Sequence, residues 1–185
     1  MVRNYADTPV RRESLQRIAA AAQRAPSAGF SQGQRLVIVT DPDRRRQIAD
    51  ICHEPEYVEA GFDPWVSRAP ALFVPAVSEE IYRARYREPD KRKPGDPEIE
   101  WPVPYWFMDV GFTVMLILLA AVNEGLAAGF LGTHRVDDLR DQVDLPADFT
   151  PIGVITVGHP LPDRKSGSLK RGWVPPDDFA HWESW

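Results

Sequence analysis

The serine, cysteine and histidine side chains of this chain lack the spacing that nucleophilic or metal-assisted catalysis requires. Ser27 lies in the segment Pro-Ser-Ala-Gly, which has none of the Gly-x-Ser-x-Gly pattern that exposes a nucleophilic serine. Cys52 and His53 are adjacent on a segment predicted to be helical, and adjacent helical side chains do not face each other. None of the four histidines has the spacing of a zinc site. The sequence therefore indicates no catalytic residue and no metal ligand, and Ser27 is better interpreted as a hydrogen-bonding group in a turn or to an anion.

Basic and hydroxyl side chains near the two ends of the chain are the candidates for holding a phosphate. The sequence contains neither Gly-x-Gly-x-x-Gly nor the phosphate loop Gly-x-x-x-x-Gly-Lys-Ser/Thr. A bound phosphate would therefore be held by separated side chains and backbone N–H groups. The candidates are Arg3 and the cluster Ser166, Ser168, Lys170 and Arg171. Taken alone, each group is more often solvated surface charge than a ligand site, and both interpretations stay open at this point.

The composition favours one globular domain that binds neither nucleic acid nor membrane. A chain of 185 residues can bury the core of one domain. Its net charge of -5 opposes the displacement of counterions from nucleic acid and does not favour an anionic membrane surface. The longest apolar stretch, Val110 to Val122, is expected to be too short to span a bilayer, and no secretory leader is visible. We therefore expect a cytoplasmic protein.

Segments with helical and strand patterns alternate along the first half of the chain. Leu15 and Ile18 follow helical spacing, and Pro26 ends that helix and opens a turn of small residues. Pro75, inside a predicted strand, indicates an edge position or a strand end. The predicted elements are a helix at 13–24, a strand at 35–40, a helix at 42–52 and a strand at 69–77.

The second half is dominated by a predicted helix over 105–124 that is nearly apolar on all sides. Such a helix is buried on all sides in a protein, and a small domain rarely has the volume to bury it. A subunit interface would solve this problem, so the sequence predicts a homodimer. A proline-rich surface connection at 88–104 precedes the helix. A strand at 127–131, a helix at 135–143, a strand at 151–158 and an extended arm at 160–185 follow it. Together these elements predict a single domain over 1–185 with layers of helices and strands.

Several segments, read in order, resemble the FMN-dependent nitroreductase family over nearly the whole chain. They are VRNYADTPV (2–10), APSAGFSQ (25–32), MDVGFTVMLILLAAVNEGLAAGFLG (108–132), PIGVITVGHP (151–160) and the terminal SLKR and HWESW. The resemblance implies an α+β fold: a three-layer α/β/α sandwich with a mostly antiparallel central sheet. It also implies a domain-swapped homodimer with two FMN sites between the subunits, which agrees with the apolar helix.

The resemblance also assigns cofactor-binding residues and an activity. It implies that Arg3, Lys170 and Arg171 bind the phosphate end of FMN, that Pro26, Ser27, Ala28 and Gln32 line the flavin, and that Leu131 and Gly132 place backbone N–H groups near its reactive edge. The implied activity is NAD(P)H oxidation by ping-pong exchange, with a nitroaromatic, quinone or similar electron-poor molecule as the acceptor. The flavin supplies the redox chemistry, so no catalytic acid or base is named.

One departure from the family pattern supports an alternative function. The family usually has an arginine and a serine just before the residue that matches Arg3, whereas Met1 occupies the serine position here. Phe30 also stands where a polar residue is common. Fewer phosphate contacts would weaken FMN binding, which leads to the alternative of a flavin-binding or sequestering protein, or a degenerate relative with little turnover.

Overall fold

One antiparallel sheet of five strands organises the computed structural model, which describes residues 1–185. Its strands are β1 (Gln34–Val39), β2 (Ala71–Val77), β3 (Ala127–Leu131), β4 (Thr150–Pro151) and β5 (Val154–Gly158). The strand order is β1-β2-β5-β3, and β4 pairs with the last two residues of β2. Every neighbouring pair runs antiparallel.

The strand β2 is buried on both faces and divides the apolar core in two. Successive side chains of a strand point to opposite faces of its sheet. Leu72 and Val74 accordingly join one apolar cluster, whereas Ala71 and Phe73 join the other. A strand with all seven residues buried needs a layer of helices on each side.

Three helices cover Leu72 and Val74, and a fourth packs against two of them. They are α2 (Pro42–Ile51), α3 (Glu54–Glu59), α4 (Trp65–Arg68) and, later in the chain, α7 (Val136–Gln142), and α3 is the one that packs against α2 and α4. The helix α2 begins at Asp41, whose carboxylate accepts the N–H of Arg44 at 2.9 Å, and Pro42 occupies the first turn. Ile48, Trp65 and Leu139 point from these helices into the shared core.

The opposite layer contains α1 (Arg12–Ala22) and α6 (Tyr105–Asn123), with α5 (Glu79–Arg85) following the end of β2. Leu15, Ile18 and Ala22 recur at helical spacing along α1 and pack against Ile117 of α6 and Phe73 of the sheet. The predicted three-layer sandwich with an antiparallel sheet is confirmed by this arrangement.

The single chain buries only one side of α6, and burial of the other side in a homodimer stays a prediction. Val110, Ile117 and Ala121 are buried against the sheet and α1, but an outward face is exposed. This exposed face of α6 consists of Phe107, Met108, Phe112, Met115, Leu119 and Val122. The helix α6 has 19 residues and a mean hydropathy of 1.9, enough by length and composition to cross a bilayer. The expectation that the apolar stretch is too short to span a bilayer is therefore wrong, although the inner face of α6 packs as a core helix.

The expectation of an edge or terminal position for Pro75 is also wrong. Pro75 pairs with Leu36 inside β2, which lies between β1 and β5. The pairing of β2 with β5 stops at Phe73, and the pairing with β4 starts at Ala76. The C=O of Pro75 accepts the N–H of Ile152 at this break. A residue without an N–H is tolerated here because the ladder is interrupted at its position.

The connections contain elements that the sequence pattern did not indicate. The helices α3, α4 and α5 lacked a predicted counterpart, and the strand predicted at 151–158 is divided into β4 and β5. Residues 86–104 form no helix or strand and carry ion pairs from Arg85 and Arg87 to nearby carboxylates. Beyond Arg164 the chain forms a 3-10 turn (Gly167–Arg171) and a short helix, α8 (Pro176–Phe179), almost wholly exposed. We call residues 165–185 the C-terminal tail.

Candidate functional site

The segment 26–33 between α1 and β1, which we call the Ser27 turn, brings four of the predicted site residues together. Pro26, Ser27, Ala28 and Gln32 all lie in it, around a 3-10 turn at Ala28–Phe30. The Ser27 hydroxyl oxygen accepts the N–H of Gln32 at 2.9 Å and so closes the turn. Ser27 therefore shapes the backbone, which agrees with its interpretation as a hydrogen-bonding group.

The Ser27 turn packs so closely on α5 that glycine is required at two positions. A Cβ on Gly29 would lie 2.6 Å from the ring of Tyr86, and Gly29 also has a φ of +61°. A Cβ on Gly33 would lie 2.5 Å from the ring of Tyr82. The backbone thus approaches two aromatic rings more closely than any other residue type allows.

The Ser27 turn also presents hydrogen-bond donors that the chain itself does not use. The backbone N–H groups of Ser27 and Gly29 have no acceptor within the chain. A cleft of about 580 Å³ opens beside the turn, a volume typical of sites for small molecules. Its lining includes Ala25, Ser31, Gln32, Arg35 and Thr113. Of the Ser27 turn only Ser31 and Gln32 line this cleft, and the free donors of Ser27 and Gly29 lie outside its lining.

Asp109 of α6 joins the central helix to the Ser27 turn and was missed by the sequence reasoning. Its carboxylate oxygen accepts the N–H of Ala28 at 2.8 Å, and the side chain is buried. The hydroxyl of Tyr82 lies close enough for the carboxylate to affect it, yet without a hydrogen bond of acceptable geometry. Burial first, and then Asp109, raise the pKa of Tyr82, which keeps this hydroxyl protonated. A signal was available, since Asp109 is the only charged residue between Glu100 and Glu124.

Arg3 lies apart from the Ser27 turn, beside Phe62 and Trp65, together with Arg164, which the sequence did not indicate. Its guanidinium carbon is 5.9 Å from the ring centroid of Phe62 and 5.8 Å from that of Trp65. Arg164 stacks on the same Phe62 ring at 5.3 Å, and its Nη1 donates to the C=O groups of residues 60 and 61. Neither guanidinium forms an ion pair with a carboxylate, although the carboxylate of Asp163 accepts the backbone N–H of Arg3 at 2.9 Å.

The remaining predicted residues lie apart from both places. Leu131 is buried at the end of β3, paired with Val154, and Gly132 follows it with open space around its Cα. Lys170 and Arg171 are exposed in the 3-10 turn of the C-terminal tail. No hydrogen bond connects any of these four residues to the Ser27 turn within one chain. The nine predicted residues therefore occupy four separate regions of the single chain.

Comparison with known proteins assigns this arrangement to a family. The profile of the Nitroreductase family matches residues 1–159, which is most of the chain. The chain belongs to the nitroreductase family.

Individual relatives of this family member agree with the assignment. The chain is 26% identical over 200 residues to an FMN reductase (NAD(P)H) of Bacillus subtilis strain 168, covering 100% of the chain and 70% of that protein. A nitroreductase family protein from Streptococcus pneumoniae TIGR4 has a similar fold, with a TM-score of 0.77 at 16% identity over 98% of the chain and 94% of that structure. An FMN-dependent nitroreductase from Clostridium difficile R20291 has a similar fold, with a TM-score of 0.71 at 16% identity over 100% of the chain and 94% of that structure. The two structures support the nitroreductase fold.

In this member of the nitroreductase family, Cys52 is expected to be chemically inert. Its side chain is 3% exposed, and burial, followed by the nearby Glu54 carboxylate, raises the pKa of the thiol to about 12. The adjacent His53 contacts Glu56 at 3.1 Å rather than the thiol.

At pH 8 the native protein should gain no iodoacetamide adduct on Cys52 in an hour, as measured by mass spectrometry, because the thiolate is almost absent. The same protein in guanidinium chloride should be labelled fully, and rapid labelling of the native state would contradict this account.

Proposed function

We propose that this chain is an FMN-dependent NAD(P)H oxidoreductase that reduces an electron-poor acceptor. The observation that carries the proposal is the Ser27 turn, with its unused N–H donors and adjoining cleft, in a chain that matches the Nitroreductase family over residues 1–159. The relatives named for FMN reduction with NAD(P)H support the same cofactor pair here. We also propose the cytoplasm as the compartment.

A complete FMN site would be built by two copies of the chain. Arg3, Leu131, Gly132 and the C-terminal tail do not reach the Ser27 turn within one chain, and the exposed face of α6 is apolar. The tail carries Trp173, Trp182 and Trp185, which are 94%, 88% and 99% exposed. Large apolar side chains in such numbers are rarely left in water. A domain-swapped homodimer would bury both surfaces and bring the separated residues to a shared site.

Each predicted residue then has a defined physical task. Pro26, Ser27, Ala28 and Gln32 would line the ring system, and Leu131 and Gly132 would present backbone donors to its reactive edge. Lys170 and Arg171, with Arg3, would neutralise the phosphate through charge-assisted hydrogen bonds. When bound, FMN supplies the hydride-transfer chemistry, so the protein needs to supply orientation and electrostatics only.

The acceptor is proposed to be a nitroaromatic, a quinone or a similar electron-poor molecule, in ping-pong exchange with NAD(P)H. An aromatic cluster beside the Ser27 turn supports a planar acceptor. Trp101 packs 4.7 Å from Tyr86 and 6.2 Å from Tyr105, ring centroid to ring centroid. Tyr86 in turn contacts Gly29 of the turn. Such rings can form a wall for a flat substrate.

The direct test is a visible spectrum of the purified protein followed by an NADPH oxidation assay with a nitroaromatic or a quinone. The proposal predicts flavin absorbance after incubation with FMN and acceptor-dependent loss of NADPH absorbance. Initial rates at several fixed acceptor concentrations should give parallel double-reciprocal lines. Flavin binding without oxidation of either nicotinamide would reject the reductase and favour the alternative of a flavin-sequestering protein.

Replacing Lys170 and Arg171 together by alanine should weaken FMN binding by at least about 100-fold. Each charge-assisted hydrogen bond contributes roughly 1.5–3 kcal/mol, and two are removed. The dissociation constant can be measured by quenching of flavin fluorescence on titration with apoprotein. The double variant R11A/R12A removes two exposed charges at the start of α1 and serves as the control, with no expected change. Equal affinities for the K170A/R171A variant and the wild type would reject these two residues as phosphate ligands.

Leu119→Glu should convert the proposed dimer to monomer. Leu119 is 55% exposed on the apolar face of α6, so a carboxylate is well solvated in the monomer but would be buried without a partner in the dimer. Sedimentation velocity measures the mass directly. Val58→Glu, at an exposed apolar position on α3, is the matched control and should leave the mass unchanged. A wild-type protein that sediments as a monomer at all concentrations would refute the dimer.

A further inference from the structure

We infer that Asp109 is the positioning residue of the Ser27 turn: its carboxylate sets the path of the turn and thereby the fit of the flavin ring, a role that rests on the proposed function. Asp109 is 5% exposed and is the only charged residue of α6. A buried carboxylate is costly unless hydrogen bonds or opposite charges compensate it. The structure shows no ion pair to Asp109, and the Ala28 N–H is the partner of its side chain.

The Ser27 turn needs such an anchor because its backbone is unfavourable by itself. Phe30 and Gln32 have φ values of +57° and +52°, in the left-handed region that residues with a Cβ rarely adopt. Conformations of this kind persist when surrounding contacts fix them. The bonds of Ser27 to Gln32 and of Ser31 to Ala28 lie within the turn. On the α5 side, Arg85 donates to the C=O of Gly29 at 3.1 Å and the N–H of Ser78 donates to the C=O of Gly33 at 3.1 Å. The Asp109 bond is the link that attaches the turn to α6.

Tyr82 completes the same contact from α5. Its ring fills the space against Gly33, where a Cβ would lie 2.5 Å away. Its hydroxyl is fully buried beside Asp109 and has no hydrogen-bond partner. The carboxylate of Asp109 therefore lies between the Ala28 N–H, which donates to it, and the buried hydroxyl of Tyr82, which stays protonated. A group so placed controls the position of the Ala28 backbone, which is the part of the turn predicted to face the flavin.

A merely structural role for Asp109 is the competing explanation, and paired variants distinguish the two. Asp109→Asn keeps an oxygen that can accept the Ala28 N–H, whereas Asp109→Ala removes it. Ile117→Ala creates a cavity on the same helix, away from the turn, and serves as the control for lost stability. All proteins are compared at a temperature at which circular dichroism shows each of them folded.

The first measurement is amide hydrogen exchange in the protein without added FMN, followed on peptides that contain Ala28. We expect D109A to speed exchange at Ala28 at least tenfold, while D109N and I117A stay within about threefold of wild type. Unchanged exchange in D109A would overturn the inference. This measurement is independent of flavin binding, so it decides the anchoring of the turn even if the proposed function fails.

The second measurement is the FMN dissociation constant together with the visible spectrum of the bound flavin. We expect D109A to weaken FMN binding at least tenfold and to shift the flavin bands, with D109N within about threefold of wild type. A loss of FMN affinity in I117A equal to that in D109A would show a general effect of stability and overturn the positioning role. Absence of FMN binding by the wild type would instead refute the proposed function, and with it the flavin part of this inference.

Discussion

The burial of β2 on both faces is the constraint on which the rest of this structure depends. Seven consecutive residues without exposure need a helical layer above and below, and the chain supplies α2, α4 and α7 on one side and α1 and α6 on the other. Because α6 must lie against the sheet, its position is fixed relative to the connection between α1 and β1. That fixed distance brings Asp109 within hydrogen-bond reach of Ala28.

The local elements of the fold were predictable from the sequence where one pattern dominates. Leu15 and Ile18 predict α1, Pro42 after Asp41 predicts the start of α2, and the branched residues of 154–157 predict β5. Pro75 misled the prediction because a missing N–H usually excludes an interior strand. The break between β4 and β5 that accommodates it depends on pairing with residues far along the chain. Tertiary exceptions of this kind leave no local signal.

The candidate site was predictable in part and by resemblance. Pro26, Ser27, Ala28 and Gln32 lie within one short turn, and their contact with a flavin stays a prediction. Asp109 was missed because a single acid in an apolar helix has no sequence partner, and its hydrogen bond spans 81 residues. Arg164 was missed for a similar reason, since its stacking on Phe62 joins segments about 100 residues apart. The assignments of Leu131, Gly132, Lys170 and Arg171 stay predictions, because no contact within one chain tests them.

The exposed tryptophans of the C-terminal tail have a consequence for how this protein can be observed. Three of its six indole rings are in water in the single chain, whereas Trp65 and Trp106 are buried. Indole emission depends strongly on the polarity around the ring. The ultraviolet fluorescence maximum of the protein is therefore an intrinsic reporter of whether the tail is free or seated on another surface, and no attached dye is needed.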